Sequence, residues 1–269
     1  MSFCYNNPMI TPIYYFVSIL LFLVGLGIGS FINCLIYRLA EKKSILGRSF
    51  CPKCQHQLAW RDLFPIFSFL FSKGRCRYCQ QKISWQYPII ETITGLLFLL
   101  AFFQFGCRLS TIDCQLLFLR NLIFVVTMVI VFVYDFKYML VEDAVVVPAI
   151  IIIFFLNLLT GQSLSFVLIG GFLGWGFFFF QYVLTKKKGL GEGDLRLGIL
   201  IGVMFGWPVL LTVLFFSYII GGVFCLALIV SGKKKMFSQV PLGPFLAVGS
   251  LLTLFFRSEI INFYFNFIF

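Results

Sequence analysis

The chain has 269 residues, 61% hydrophobic and only 12% charged, with a formal net charge of +11. Soluble globular proteins carry about 25% charged residues, so this composition, with a mean hydropathy of +1.00, excludes an ordinary soluble domain. The positive charge does not signal nucleic acid either. Lys and Arg fall in short segments between apolar runs, as the positive-inside rule describes, and no nucleic-acid partner is expected.

Residues 1–37 carry no charged side chain and show neither a basic n-region nor a small-residue cleavage site. The first apolar run is therefore read as a permanent helix rather than a cleaved signal. Eight apolar segments follow one another at about 12–36, 86–105, 116–136, 144–160, 164–185, 195–206, 208–231 and 240–257. Most are near the ~20 residues that a hydrocarbon core of about 30 Å requires of a spanning helix. The sixth is short, and is either tilted or continuous with the seventh around Gly206, Trp207 and Pro208. The expected fold is an all-α polytopic membrane protein of about eight transmembrane helices embedded in a lipid bilayer. No internal repeat is evident.

Charge sets the expected orientation. Residues 38–85 hold ten Lys or Arg against Glu41 and Asp62, and further clusters stand at Lys186, Lys187, Lys188 and at Lys233, Lys234, Lys235. An even number of helices with the N-terminus outside places all three clusters in the cytoplasm. Arg108, Arg120 and Arg257 then lie at or near the outer face.

The loop between the first and second segments contains Cys51-Pro52-Lys53-Cys54 and, after 21 intervening residues, Cys76-Arg77-Tyr78-Cys79. Two Cys-x-x-Cys pairs at such a separation can close a thiolate tetrahedron around zinc. A 48-residue loop buries too little apolar surface to fold alone, and a metal supplies that stability. The role would be structural, because four cysteines leave no open coordination position. A disulfide pair is the alternative, weakened by the reducing cytoplasm. His56 is read as solvated rather than ligating, and Cys4, Cys34, Cys107, Cys114 and Cys225 as small apolar residues or free thiols.

Acids are few enough to weigh singly, since an ionisable group at the edge of a span is a functional candidate by default. Asp135 ends the third segment in Val133-Tyr134-Asp135-Phe136-Lys137, and Asp194 closes Gly191-Glu192-Gly193-Asp194 at the start of the sixth. Both fall at the same membrane face although 59 residues apart. Two carboxylates can work as base and acid on a water that attacks a peptide bond, and Gly191 and Gly193 allow a substrate strand to approach closely. The bland alternative is a helix cap for Asp194 and an interfacial pair with Lys137 for Asp135. Glu91, inside the second segment, has no obvious charge partner in the sequence and has either a structural hydrogen bond or a role in ligand binding. For Asn33, helix–helix hydrogen bonding is favoured.

These residues, in this order, resemble the type IV prepilin leader peptidase family. Gly29-Ser30-Phe31-Ile32-Asn33 ending in Tyr37-Arg38 looks like its first-helix motif. Arg48-Ser49-Phe50-Cys51-Pro52, Trp60-Arg61-Asp62, Pro65 and Gly74-Arg75-Cys76 look like its loop, and Tyr87-Pro88 and Glu91 like its second-helix entry. Asp135 with Asp143, and the Gly-x-Gly-Asp at 191–194, resemble its two aspartate motifs.

The resemblance implies cleavage of the basic leader of prepilins or pseudopilins at the cytoplasmic face of the bacterial inner membrane. Methylation of the new N-terminus from S-adenosylmethionine would follow. It makes Asp135 and Asp194 the catalytic pair, with Asp143 either a substitute for Asp135 or a cap on the fourth segment. The division is then a first transmembrane helix (1–37), a zinc-binding domain (38–85) and a transmembrane aspartyl protease domain (86–269). Glu142, Asp143 and Glu192 are expected to attract the basic leader. Glu142 departs from the family's usual proline, Glu192 from its usual apolar residue and Arg196 from its usual lysine. The competing classes are a proton-relaying transporter, which predicts acids near the midplane, and an inactive zinc-bearing scaffold.

Overall fold

A computed structural model describes residues 11–105, 111–186, 190–232 and 240–268. Cys4, Cys107, Arg108, Lys187, Lys188 and Lys233 to Lys235 lie outside the described residues. Among those described are eight α-helices: α1 Thr11–Ala40, α2 Phe67–Phe71, α3 Gln86–Phe105, α4 Ile112–Tyr138, α5 Asp143–Leu159, α6 Leu164–Leu184, α7 Glu192–Val230 and α8 Gly243–Ile268. No strand occurs among these residues, only two isolated bridges. Five helices (α1, α3, α4, α6 and α7) are long and apolar enough to cross a membrane, and α5 and residues Gly243–Arg257 of α8 are shorter apolar helices. The chain is a multi-pass, all-helical membrane protein. It divides into two compact units, Met1–Arg108 and Leu109–Phe269.

In the first unit α1 packs against α3. Without a hydrophobic drive between helices in lipid, close backbone approach at small residues holds such pairs together. A Cβ on Gly29 would sit 2.7 Å from Glu91 Cα, and one on Gly25 would sit 2.8 Å from Gly95 Cα. Asn33 joins the two helices, its side-chain N–H donating to the carbonyls of Gly29 and Tyr87 at 3.2 Å each. Buried Arg38, at the end of α1, donates to the carbonyls of Ile45, Gly47 and Arg48 and so folds the loop back over the helix end.

In the second unit the decisive feature is a reversal within α7. Gly206 has φ 70° and ψ 173°, a left-handed backbone open to glycine, and a Cβ there would lie 1.9 Å from the Phe166 ring. Adjacent residues of α6 bind both sides of the break: Tyr182 meets Glu192 at 3.4 Å, while Gln181 accepts from the Tyr218 hydroxyl at 2.7 Å. A straight helix would separate residues 192 and 218 by about 39 Å, so the second arm doubles back beside the first. The sixth and seventh apolar segments are therefore the two arms of α7, folded at Gly206.

That fold frees carbonyls at the end of the first arm, which lipid cannot satisfy. Asn157 on α5 donates to the Val203 carbonyl at 2.8 Å, and Arg120 on α4 donates to the side-chain oxygen of Asn157 at 2.6 Å. Glycines seam α6 to the first arm: a Cβ on Gly174 would fall 2.0 Å from the Gly198 carbonyl oxygen. Replacing Asn157 by Leu strips the Val203 carbonyl of its partner and should lower stability by about 1–3 kcal/mol. Gly176→Ala, where an added Cβ meets nothing within 4 Å, should leave the detergent melting temperature unchanged.

Candidate active site and metal centre

Asp135 lies in the last turn of α4, 5% exposed. Its Oδ2 accepts a 2.9 Å hydrogen bond from the backbone N–H of Gly243, the first residue of α8. A Cβ at Gly243 would come within 2.5 Å of that oxygen, so only glycine lets the backbone reach the acid. Asp194 is in the first turn of α7, and its Oδ2 accepts from the Gly191 N–H at 3.0 Å. The two carboxylates lie within electrostatic reach of one another. Tyr218, on the second arm of α7, also lies within electrostatic reach of Asp194.

The loop between α4 and α5 closes over the start of α7. A Cβ on Gly193 would meet Val141 Cβ at 2.5 Å, whereas at Gly191 the nearest atoms stand 3.9 Å away. Glycine at 193 is thus required by the protein's own packing, and only 191 has open space beside it. Asp194 does act as a cap, through Gly191. Lys137 turns away from Asp135 and sits over the Tyr138 ring at 5.2 Å.

The three acids expected to attract the leader each engage a protein partner. Asp143 is ion-paired with Arg196, and the N-cap position of α5 is held by Glu142 without a side-chain cap bond; the expected Asp143 cap is not formed. Glu142 faces the Tyr134 hydroxyl. Glu192 accepts from Tyr182. Gly243 and Tyr218 went unnoticed in the sequence. Pro241-Leu242-Gly243-Pro244 before an apolar run was the signal available for the first.

The four loop sulfurs of Cys51, Cys54, Cys76 and Cys79 lie within 4.8 Å of one another, between α1 and α3 in sequence. The Sγ atoms of Cys51 and Cys79 are 3.9 Å apart, close to the ~3.8 Å edge of a tetrahedron with metal–sulfur bonds of about 2.3 Å. Each Cys-x-x-Cys forms the same knuckle. Gln55 and Gln80, at φ 60° and 58°, return their N–H groups to the carbonyls of Cys51 and Cys76 at 2.9 Å. Matching bridges pair Phe50 with Gln57 and Arg75 with Lys82. The local structural repeat follows a short one in the sequence, Cys-x-x-Cys-Gln at 51–55 and again at 76–80.

The sulfurs stand close enough to shift one another's protonation. Burial pushes the Cys51 thiol up, but the N–H groups of Cys54 and Lys53 and the neighbouring thiols outweigh it and bring it to about 7. The Gln81 N–H favours the Cys79 thiolate, yet desolvation and the three other sulfurs push it up to about 11. Four thiolates at this spacing require a cation, so the donor set fits a soft divalent metal. His56 stands outside it, its ring tilted 33° against that of Tyr78 with centroids 3.7 Å apart. The Tyr78 hydroxyl donates to Asp62, which also pairs with Arg77.

The bacterial peptidase A24 N-terminal domain profile matches residues 23–105, and the type IV leader peptidase family profile matches residues 122–226. The prepilin leader peptidase/N-methyltransferase of Bacillus subtilis is 34% identical over 252 residues, covering 91% of this chain and 96% of that protein. The chain belongs to the type IV leader peptidase family. Proteins of the same name from Klebsiella pneumoniae (35% identical, 71% of this chain and 86% of that protein) and Legionella pneumophila (29%, 96% and 98%) are also similar. No solved structure matches. In this leader peptidase the first profile encloses the cysteine cluster and the second encloses both aspartates.

If the sulfurs hold a metal, chelation should make the loop between α1 and α3 sensitive to protease while the helices stay protected. Elemental analysis should return about one metal ion per chain, lost in Cys51→Ser.

Proposed function

We propose that this protein is a membrane aspartyl endopeptidase that removes the basic leader of type IV prepilins or pseudopilins. It then methylates the new N-terminal residue from S-adenosylmethionine. The observation that carries this reading is the approach of Asp135 and Asp194, from α4 and α7, in a chain whose relatives are named for both activities. One carboxylate takes a proton from water as its oxygen attacks the scissile carbonyl. The other gives a proton to the leaving amine. Gly243 and Gly191 fix the two carboxylates through backbone N–H groups, so neither depends on a mobile side chain for its position.

The four cysteines would hold a structural Zn²⁺, and the charge pattern favours a bacterial inner-membrane location with the loop and the aspartates facing the cytoplasm. A basic leader at that face meets Glu142, Asp143 and Glu192, whose pairing with neutral or single cationic partners leaves net negative charge. S-adenosylmethionine supplies a methyl group on a sulfonium: a nitrogen–carbon bond forms as the sulfur–carbon bond breaks, S-adenosylhomocysteine leaves and the amine proton goes to solvent.

Asp135→Asn and Asp194→Asn should each abolish cleavage of a prepilin carrying a Gly–Phe junction while melting as wild type. A folded variant that cleaves at the wild-type rate removes that aspartate from the reaction. Gly243→Ala, which forces Asp135 aside, should lower the cleavage rate by about 100-fold. Neutralising Glu142 and Glu192 together should raise KM for a basic leader, with little change in kcat. An unchanged KM separates these acids from leader recognition.

A further inference from the structure

The cysteine loop of the first unit carries an apolar surface that its own fold does not use. Trp60, Phe64, Phe67, Leu70 and Phe71 are all exposed, Phe71 by 81% and Trp60 by 65%. Phe67, Leu70 and Phe71 stand at i, i+3 and i+4 on one face of α2. Phe69, only 8% exposed, belongs to the opposite face. Trp60 and Phe64 form an edge-on pair just before the helix, ring centroids 5.7 Å apart. So many large apolar side chains exposed together mark a surface that something covers.

The depth of this surface is fixed by α3. That helix has 20 residues, a length of about 30 Å, which matches the hydrocarbon core. Glu91 is its sixth residue and lies about 7 Å inward from Gln86. The Glu91 Oε2 accepts the N–H of Ile66, the residue just before α2, at 2.7 Å. Phe69 meets Trp85, at the threshold of α3, with ring centroids 5.0 Å apart. α2 is therefore held where α3 enters the bilayer, at the depth of about 5–10 Å to which interfacial helices bury their apolar faces. The N–H groups of Asp62, Leu63, Ile66, Phe67, Ser68 and Leu70 are all bonded within the unit, as leaving water demands. A water-borne partner does not reach a face at that depth, and lipid does. Charge agrees. Arg61 lies over the Trp60 ring at 5.2 Å and Lys73 follows α2, and neither joins an ion pair among the described residues. Aromatic rings beside unpaired cations suit the headgroup region of an anionic leaflet.

We infer that residues 60–73 form an interfacial anchor that lays the cysteine loop on the leaflet where α1 ends and α3 begins. Trp60, Phe64, Phe67, Leu70 and Phe71 enter the boundary between headgroups and acyl chains. Arg61 and Lys73 meet the phosphates of anionic phospholipids. The anchor is independent of the peptidase and methyl-transfer readings, and needs only that α1 and α3 span the bilayer. It keeps the two cysteine knuckles at the membrane surface instead of leaving them to swing in water.

The test uses the full-length chain in nanodiscs made with brominated phospholipids. Trp85→Phe, Trp175→Phe and Trp207→Phe together leave Trp60 as the one fluorescent reporter among the four tryptophans. Bromine placed high on the acyl chain should quench Trp60, and bromine near the chain end should quench it less. Phe67→Ser with Phe71→Ser should abolish the quenching, and because both rings are exposed the melting temperature should not move. Emission that bromine leaves untouched overturns the anchor; if that emission is also blue-shifted, the cover is protein, from the second unit or another copy. Quenching that survives the double substitution overturns it too, since the α2 face then does not hold the segment. The wild-type chain gives a second reading with no tryptophan replaced. Trypsin should cut after Arg61 and Lys73 about tenfold more slowly in nanodiscs containing phosphatidylglycerol than in phosphatidylcholine alone. Equal rates in the two lipids overturn the assignment of Arg61 and Lys73 to anionic phosphates.

Discussion

Asp135 accepts a hydrogen bond from the Gly243 N–H, a partner 108 residues away, and the second unit is organised by the need to make such contacts. Lipid offers no hydrogen bonds, so every polar group that enters a span must find its partner within the protein. An acid near the end of α4 therefore requires the start of α8 beside it. Gly243 can approach only because it lacks a side chain. The same demand explains Asn157, which tends a carbonyl released where α7 reverses, and Arg120, which holds Asn157 in turn.

The reversal at Gly206 has a functional consequence. It returns the second arm of α7 alongside α6, bringing Tyr218 toward Asp194 and the Gln181 side chain. The region around Asp194 is thereby walled by three helical segments rather than left open on one side of a straight helix. Asp194 is also the cap of its own helix through Gly191. The capping and catalytic readings of this residue are compatible: a backbone N–H that steadies the helix start also orients one carboxylate oxygen and leaves the other available.

The first unit solves a different problem. Its loop has little apolar core, and its order comes from two matching cysteine knuckles, the Arg38 clamp on three carbonyls and the Asp62 contacts to Tyr78, Arg77 and the Ala59 N–H. These explain the motif residues around the cysteines, which would otherwise look like surface charge. Glu91 is the exception. Its contacts within the unit are a backbone N–H and a hydroxyl, and neither brings a compensating charge.

The sequence by itself determined the helical membrane class and the boundaries of most helices, and it singled out four cysteines and two aspartates as candidates. Each of these is written in local terms: runs of apolar residues, paired Cys-x-x-Cys spacing, and acids too rare in lipid to be incidental. Tertiary structure alone decided which partners those residues have. Nothing in the spacing of Asp143 and Arg196 announces their ion pair, and Gly243 reads as an ordinary helix start until Asp135 is packed against it. The reversal of direction at Gly206 is likewise a backbone geometry, of which the sequence shows only the Gly206-Trp207-Pro208 break. Hydropathy records where each segment is solvated; it carries no term for which segment lies beside which, and the sites are made from that second choice.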